Sequence, residues 1–232
     1  PSLFSTYKYS PFPSTNNSLN SKIASGVCMD KAGNLWIGTD GGGINVFNKG
    51  RRIAIYNADN KKFRSNTVQA ALCDSKGGLW FGLFYGGIAY YNPKSQSFRQ
   101  IFSEDKSRTD VRSFHEDKQG NIWVGTHGNG LFLLDKKERL FRLHTPESVL
   151  SGENIRVLGE TPSGNLLIGT GHGLSVLEQK DGKVINFNSK TGFPLTLVNR
   201  KSMHVSRNHD IYMGGATGLV AIRESSLSYP PK

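Results

Sequence analysis

Several features that would each announce a function are scarce or missing. The chain has 2 cysteines among 232 residues and 18 acidic residues against 29 lysines and arginines. It has no apolar run of the roughly 18 residues that a membrane helix needs, and no recognisable targeting segment, so a chain opening on "PSLF" reads as a processed or expressed piece. Two cysteines are too few for a disulfide-built scaffold. The HExxH and GxSxG signatures are absent. The histidines, His115, His127, His144, His172, His204 and His209, do not fall at metal-ligand spacing. Glycine is plentiful, yet "GNLWIGTDGGG" from Gly33 has neither the lysine and hydroxyl residue of a phosphate loop nor the spaced glycines of a dinucleotide fingerprint.

What is present is repetition. "GGLWFGLFYGG" from Gly77, "GNIWVGTHGNG" from Gly120, "GNLLIGTGHG" from Gly164 and a worn "HDIYMGGATG" from His209 echo the first run. Their anchors, Trp36, Trp80, Trp123, Leu167 and Tyr212, are spaced by 44, 43, 44 and 45 residues. That period belongs to solenoids, propellers or arrays. All three tryptophans are anchors, which assigns them to packing between units rather than to ligand contact.

Each unit reads as four short strands. An apolar first strand ("VCMD", "ALCD", "VRSFHED", "IRVLGE", "MHVS") leads through a tight glycine turn to the anchor strand. A glycine-rich connection then leads to a third strand such as "GINVFN", and a fourth such as "RIAIY" closes the unit. No stretch suits a crossover helix, so the sheets should be antiparallel. The spacing predicts an all-β chain, a β-propeller of four-stranded antiparallel blades, about five of them. The units cover residues 25–66, 67–109, 110–153, 154–198 and 199–222 of a single domain spanning 1–232. An N-terminal strand over 4–9, "FSTYKY", is suited to complete the last blade. The same halves would arise in a closed five-bladed ring or in a fragment of a longer propeller.

Cys28 and Cys73 lie in the first strands of adjacent units, in different register relative to Asp30 and Asp74. That offset predicts side chains aimed differently and no disulfide. Of the cations behind the net charge of +11, Lys49, Arg51, Arg52, Lys94, Lys136, Lys137, Arg139, Lys180 and Lys183 sit at turns between third and fourth strands. Dispersed around outer rims without interleaved aromatics, these cations form no nucleic-acid groove. They are a solvated rim, with attraction to anionic polysaccharide or a membrane surface as the alternative.

Repeats reading "D..GNLWIGT..GGI..F" after an apolar strand resemble the two-component regulator propeller repeat, from about Ser25 to Ile222. The resemblance implies the periplasmic or extracellular sensor region of bacterial hybrid two-component systems, especially those of Bacteroides-like gut bacteria that respond to polysaccharides. Such regions usually carry two seven-bladed propellers and a β-sandwich before a membrane helix, a histidine kinase and a regulator domain. Five units depart from that pattern, so the chain resembles a fragment or a smaller relative, and "SLSYPPK" an exit toward a following domain.

Recognition is expected where loops vary on a uniform scaffold. The connections from second to third strand, and from a fourth strand to the next first strand, vary most and share one face, whereas the hairpins "DKAGN", "DSKGG", "DKQGN" and "TPSGN" read as turn chemistry. Phe84 and Tyr85 replace the usual threonine and polar residue with two aromatics beside flexible glycines, although Phe84 also suits packing against the next blade. Asp40, His127, Asn129 and His172 add hydrogen-bonding groups, and Arg64 and Arg108 are available to an anionic group. Together these suit a sugar ring, apolar on its face and polar at its edge. His127 and His172 emerge on the same face and could also be a metal or acid-base pair; the simpler reading is polar loop residues, and no metal or cofactor is assigned. The expected function is saccharide sensing for a two-component receptor without catalysis, with a polysaccharide or oligosaccharide as partner and a homodimer in the full-length receptor. Nucleic acid is not expected as a partner, nor membrane contact by this segment. A polysaccharide or cyclic-peptide lyase-like propeller and a non-enzymatic interaction scaffold are the alternatives.

Overall fold

The computed structural model describes residues 6–11, 17–60, 63–101, 109–134, 140–142, 150–195 and 197–227. Contacts divide the chain into two compact units, Pro1–Val111 and Arg112–Lys232. Among the described residues each sheet joins strands in the order in which the chain lays them down, and the pairings are antiparallel. This is the form of propeller blades.

The first unit holds two four-stranded sheets. Sheet one comprises β1 (Ala24–Met29), β2 (Leu35–Thr39), β3 (Gly43–Asn48) and β4 (Arg51–Tyr56). Sheet two comprises β5 (Val68–Cys73), β6 (Leu79–Leu83), β7 (Gly87–Asn92) and β8 (Ser97–Ile101). The anchor and third strands are buried almost throughout, whereas β4 and β8 are largely half-exposed. Trp36, Ile44, Val46, Val68, Phe81 and Tyr91 form one core cluster. The glycine of "WIGT" permits this approach. A Cβ on Gly38 would lie 2.4 Å from Val68 Cγ1, so the first strand of sheet two presses where only a hydrogen fits.

The second unit begins with β9 (Val111–Glu116), whose first residue still counts with the first unit, followed by β10 (Ile122–Thr126), β11 (Leu131–Leu134) and β12 (Leu140–Arg142). Sheet four is β13 (Ile155–Glu160), β14 (Leu166–Thr170), β15 (Gly173–Glu178) and β16 (Lys183–Asn188). The last sheet is β17 (Val198–Val205), β18 (Asp210–Gly215) and β19 (Gly218–Arg223). Gly125 repeats the close approach, its Cβ position lying 2.5 Å from Ile155 Cγ2.

Among the described residues the last sheet has three strands. The described part of "FSTYKY" finds its backbone partners nearby: Tyr9 and Leu19 form a parallel bridge, and Leu19 N–H donates to Lys8 O at 2.8 Å. Tyr7 meets Phe47 edge-on at 4.8 Å. Phe4 and Ser5 lie outside the described residues.

The expectation of no disulfide is overturned. Cys28 and Cys73 are bonded, with their Cα atoms 5.8 Å apart, inside the usual disulfide range. Their register does differ, since Cys28 lies opposite Trp36 and Cys73 opposite Leu79 rather than Trp80. But side chains alternate between the two faces of a sheet, and stacked repeats meet through opposite faces. A one-residue offset is therefore what brings two such side chains into the same interface. The second unit repeats this geometry with other chemistry. His115 stands two residues before Asp117, as Cys28 does before Asp30, and Glu160 stands directly before Thr161, as Cys73 does before Asp74. His115 Nε2 lies 3.8 Å from Glu160 Oε2.

Candidate functional site

The hairpin ends are built by one device. In sheet one, the Asp30 carboxylate accepts from Trp36 Nε1 at 2.8 Å, from Asn34 Nδ2 at 2.9 Å and from the backbone N–H groups of Ala32 and Asn34. Burial alone would raise the Asp30 pKa, but these donors outweigh it and hold the carboxyl below its ordinary value. Trp80 donates to Asp74 and Trp123 to Asp117, each at 2.8 Å. These aspartates are occupied by structure, as are the tryptophans, which are buried.

The variable connections carry the candidate residues. In three of the repeats a threonine clamps the turn after the anchor strand: Thr39, Thr126 and Thr170 donate to the carbonyls of Gly43, Gly130 and Gly173 at 2.9, 2.7 and 3.3 Å. The second repeat departs from this pattern. The aromatic pair does not itself replace the threonine; Leu83 takes that place and is fully buried, while Phe84 and Tyr85 stand where Asp40 and Gly41 stand in the first repeat. Tyr85 thereby inherits a glycine conformation, with φ of 50° against 84° at Gly41. Such a conformation is uncommon for a bulky residue. Phe84 and Tyr85 are 39% and 52% exposed, and their rings meet at 4.4 Å.

Asp40 and Phe84 are joined through a residue with no strong sequence signal. Thr67 Oγ1 donates to Asp40 Oδ1 at 2.9 Å, and Thr67 O accepts from Phe84 N–H at 2.9 Å. Arg64 is exposed in the same connection. Arg108, Lys136, Lys137 and Arg139 lie outside the described residues. In the second unit His127 and His172 are exposed and Asn129 is half-buried. Both their turns touch the connection entering β13: Gly130 N–H donates to Glu153 O at 3.2 Å, and a Cβ on Gly152 would lie 3.0 Å from His172 Cδ2. His172 N–H is held by Thr170 Oγ1 at 3.1 Å. Among the described residues, no group of three or more His, Cys, Asp or Glu side chains is placed to hold a metal ion.

Two further charged arrangements lie in the second unit. Burial lowers the His115 pKa despite the opposing pull of Glu160, so the imidazole is held neutral beside a carboxylate that also accepts from Lys118 N–H at 3.0 Å. Burial of Glu224 is outweighed by donors from Ser163, Thr161 and His209, and its carboxyl is lowered to about 2.

The family described as two component regulator propeller matches residues 18–41 and 105–128. Over 93% of its length the chain is 37% identical to the extracellular domain of a hybrid two component system from B. thetaiotaomicron, with a TM-score of 0.80. A second hybrid-system extracellular domain from that organism is 22% identical over 90% of the chain, with a TM-score of 0.70. The chain spans 28% and 29% of the lengths of these two proteins. Virginiamycin B lyase from Staphylococcus aureus is 13% identical over 86% of this chain and 69% of its own, with a TM-score of 0.64, a likeness of fold alone. No curated protein matches. Hairpin device, sheet order and sequence likeness converge: the chain carries two-component regulator propeller repeats at residues 18–41 and 105–128, in an all-β fold like that of the extracellular domains of Bacteroides hybrid two-component systems.

Proposed function

We propose that the chain is an extracytoplasmic ligand-sensing domain of a two-component receptor, performing no chemistry itself, and that it binds a saccharide through its variable loops. The exposed Phe84–Tyr85 pair carries this reading. Two large aromatic side chains lie in contact with each other and partly open to solvent, one of them in a left-handed conformation, which presents ring surface to a ligand. Aromatic faces next to the Asp40–Thr67 hydrogen bond suit the apolar face and hydroxyl edge of a sugar ring.

The location is supported by likeness to extracellular domains and by the Cys28–Cys73 disulfide, a bond that persists in oxidising compartments. His127, Asn129 and His172 offer a second set of polar contacts, and Arg64 and Arg108 would favour an anionic substituent. Calorimetric titration with an oligosaccharide panel tests the reading: Tyr85→Ala should weaken binding by about 1–3 kcal/mol, the scale of a stacking anchor. Unchanged affinity in that variant would reject the role of Tyr85.

A further inference from the structure

The repeats show which side chains ordinarily meet at the hairpin end of a sheet. In sheet one the Trp36 ring reaches the Asp30 carboxylate, stacks on Tyr56 at 5.8 Å and meets Tyr91 at 4.7 Å. In sheet four the same two positions hold Leu167 and Thr161. Leu167 is fully buried but has neither the reach nor the N–H of an indole. At this end of the second unit the structure has a cavity of about 740 Å³.

The cavity walls differ from the rest of the scaffold in their chemistry. Asn165 is the counterpart of Asn34 and Asn121, whose amides donate to Asp30 and Asp117. With threonine at position 161, Thr161 Oγ1 accepts from the Asn165 backbone N–H at 3.0 Å, and Asn165 lines the cavity. Glu178 lies on the same side, and Asp210 and Arg223 come from the last sheet. Val176 and Leu227, both buried, supply apolar surface. Glu224 contributes by fixing its neighbours: it accepts from Ser163 N–H at 3.0 Å and from the Ser163 hydroxyl, and its other oxygen pairs with His209 Nδ1. The His209 ring is thus oriented through Nδ1, which leaves Nε2 for a ligand.

We propose that this cavity, on the side of the hairpin turns and remote in sequence from the variable loops, is a second binding site that takes an uncharged, hydroxyl-rich molecule such as the end of a neutral oligosaccharide. Carboxylates and amides are good partners for vicinal hydroxyls, and the apolar floor suits a sugar face. Glu178 and Asp210 outnumber Arg223, which disfavours a polyanion. The ligand class rests on the sensing reading above; the location does not.

The test is amide-resolved NMR of the ¹⁵N-labelled protein titrated with maltotriose, xylotriose, arabinotriose and trigalacturonate. An uncharged trisaccharide should shift the amides of Asn165, Asp210 and Arg223. Asp210→Asn and Glu178→Gln should each weaken that response about tenfold or more, as expected when a charged hydrogen-bonding partner is lost. Val176→Phe should fill the site and abolish the response in an otherwise native spectrum; if it does not fold, the two polar variants decide. Shifts at residues 84–85 alone would overturn the cavity site and leave the loop site standing. Shifts at the cavity alone would uphold it and count against the loop site. A response to trigalacturonate only, or no response at the cavity amides to any of the four, would overturn the proposal.

Discussion

Removing the Cys28–Cys73 bond tests the interface geometry of the first unit most sharply. The cross-link joins residues 45 apart in sequence. Closing a loop of that length removes about 13 cal/mol/K of unfolded-chain entropy, equivalent to about 4 kcal/mol at 25 °C. Both residues are only partly buried, so Cys28→Ala with Cys73→Ala loses little packing beyond the bond. With a guanidinium m-value of about 4 kcal/mol/M, the unfolding midpoint of the first unit should fall by about 1 M. The two units need not unfold together, and a whole-chain signal would blur the effect. Hydrogen exchange read peptide by peptide avoids this: protection should drop in β1 and β5 and remain in β13 to β16. An oxidised protein with two titratable thiols, or equal midpoints for the double variant and the wild type, would refute the reasoning.

Asp117 is 4% exposed and accepts from Trp123, from the Asn121 side chain and from two backbone N–H groups, so Asp117→Ala should cost about 3 kcal/mol in thermal or chemical denaturation. Thr161→Ala, at the equivalent position without an indole partner, should cost clearly less; equal losses would contradict the role given to the Asp–Trp bond. Gly38→Ala forces a methyl against Val68, and a melting temperature equal to that of the wild type would show that the sheets do not meet as described. The Glu224 carboxyl is lowered from 4.5 to about 2, so its contribution to stability is complete above pH 4.5 and is lost as the pH falls from there toward 2. Glu224→Gln should flatten that part of the stability profile of the second unit, and an unaltered acid limb would argue against its network. His115 is lowered by burial, so stability falls as the pH drops below its ordinary value of 6.5, where the unfolded chain takes up a proton that the buried ring does not; His115→Gln should remove that slope.

The architecture was legible because its signals are local. The anchors at Trp36, Trp80 and Trp123, the glycine turns before them and the alternation after them each act within a few residues, and each maps onto a β2-like strand or its hairpin. Four matters were not legible, for different reasons. The disulfide depended on which faces of Cys28 and Cys73 meet, and a register offset within repeats has the opposite meaning across a face-to-face interface. The conformation of Tyr85 depended on aligning "LFYGG" so that Leu83, not Phe84, takes the threonine place. The cavity lined by Asn165 and Glu178 was not legible because its walls combine "TPSGN" with residues from the next sheet that no linear motif joins. Thr67 gave no signal either, since an ordinary loop threonine became the link between Asp40 and Phe84.

The central claim, sensing without chemistry, is tested most directly by native mass spectrometry of the protein incubated with an oligosaccharide panel, followed by mass analysis of the released ligand. The account predicts a protein–ligand adduct whose ligand keeps its starting mass after prolonged incubation. Accumulation of shortened or unsaturated sugar products would contradict it, and so would the absence of any adduct across the panel.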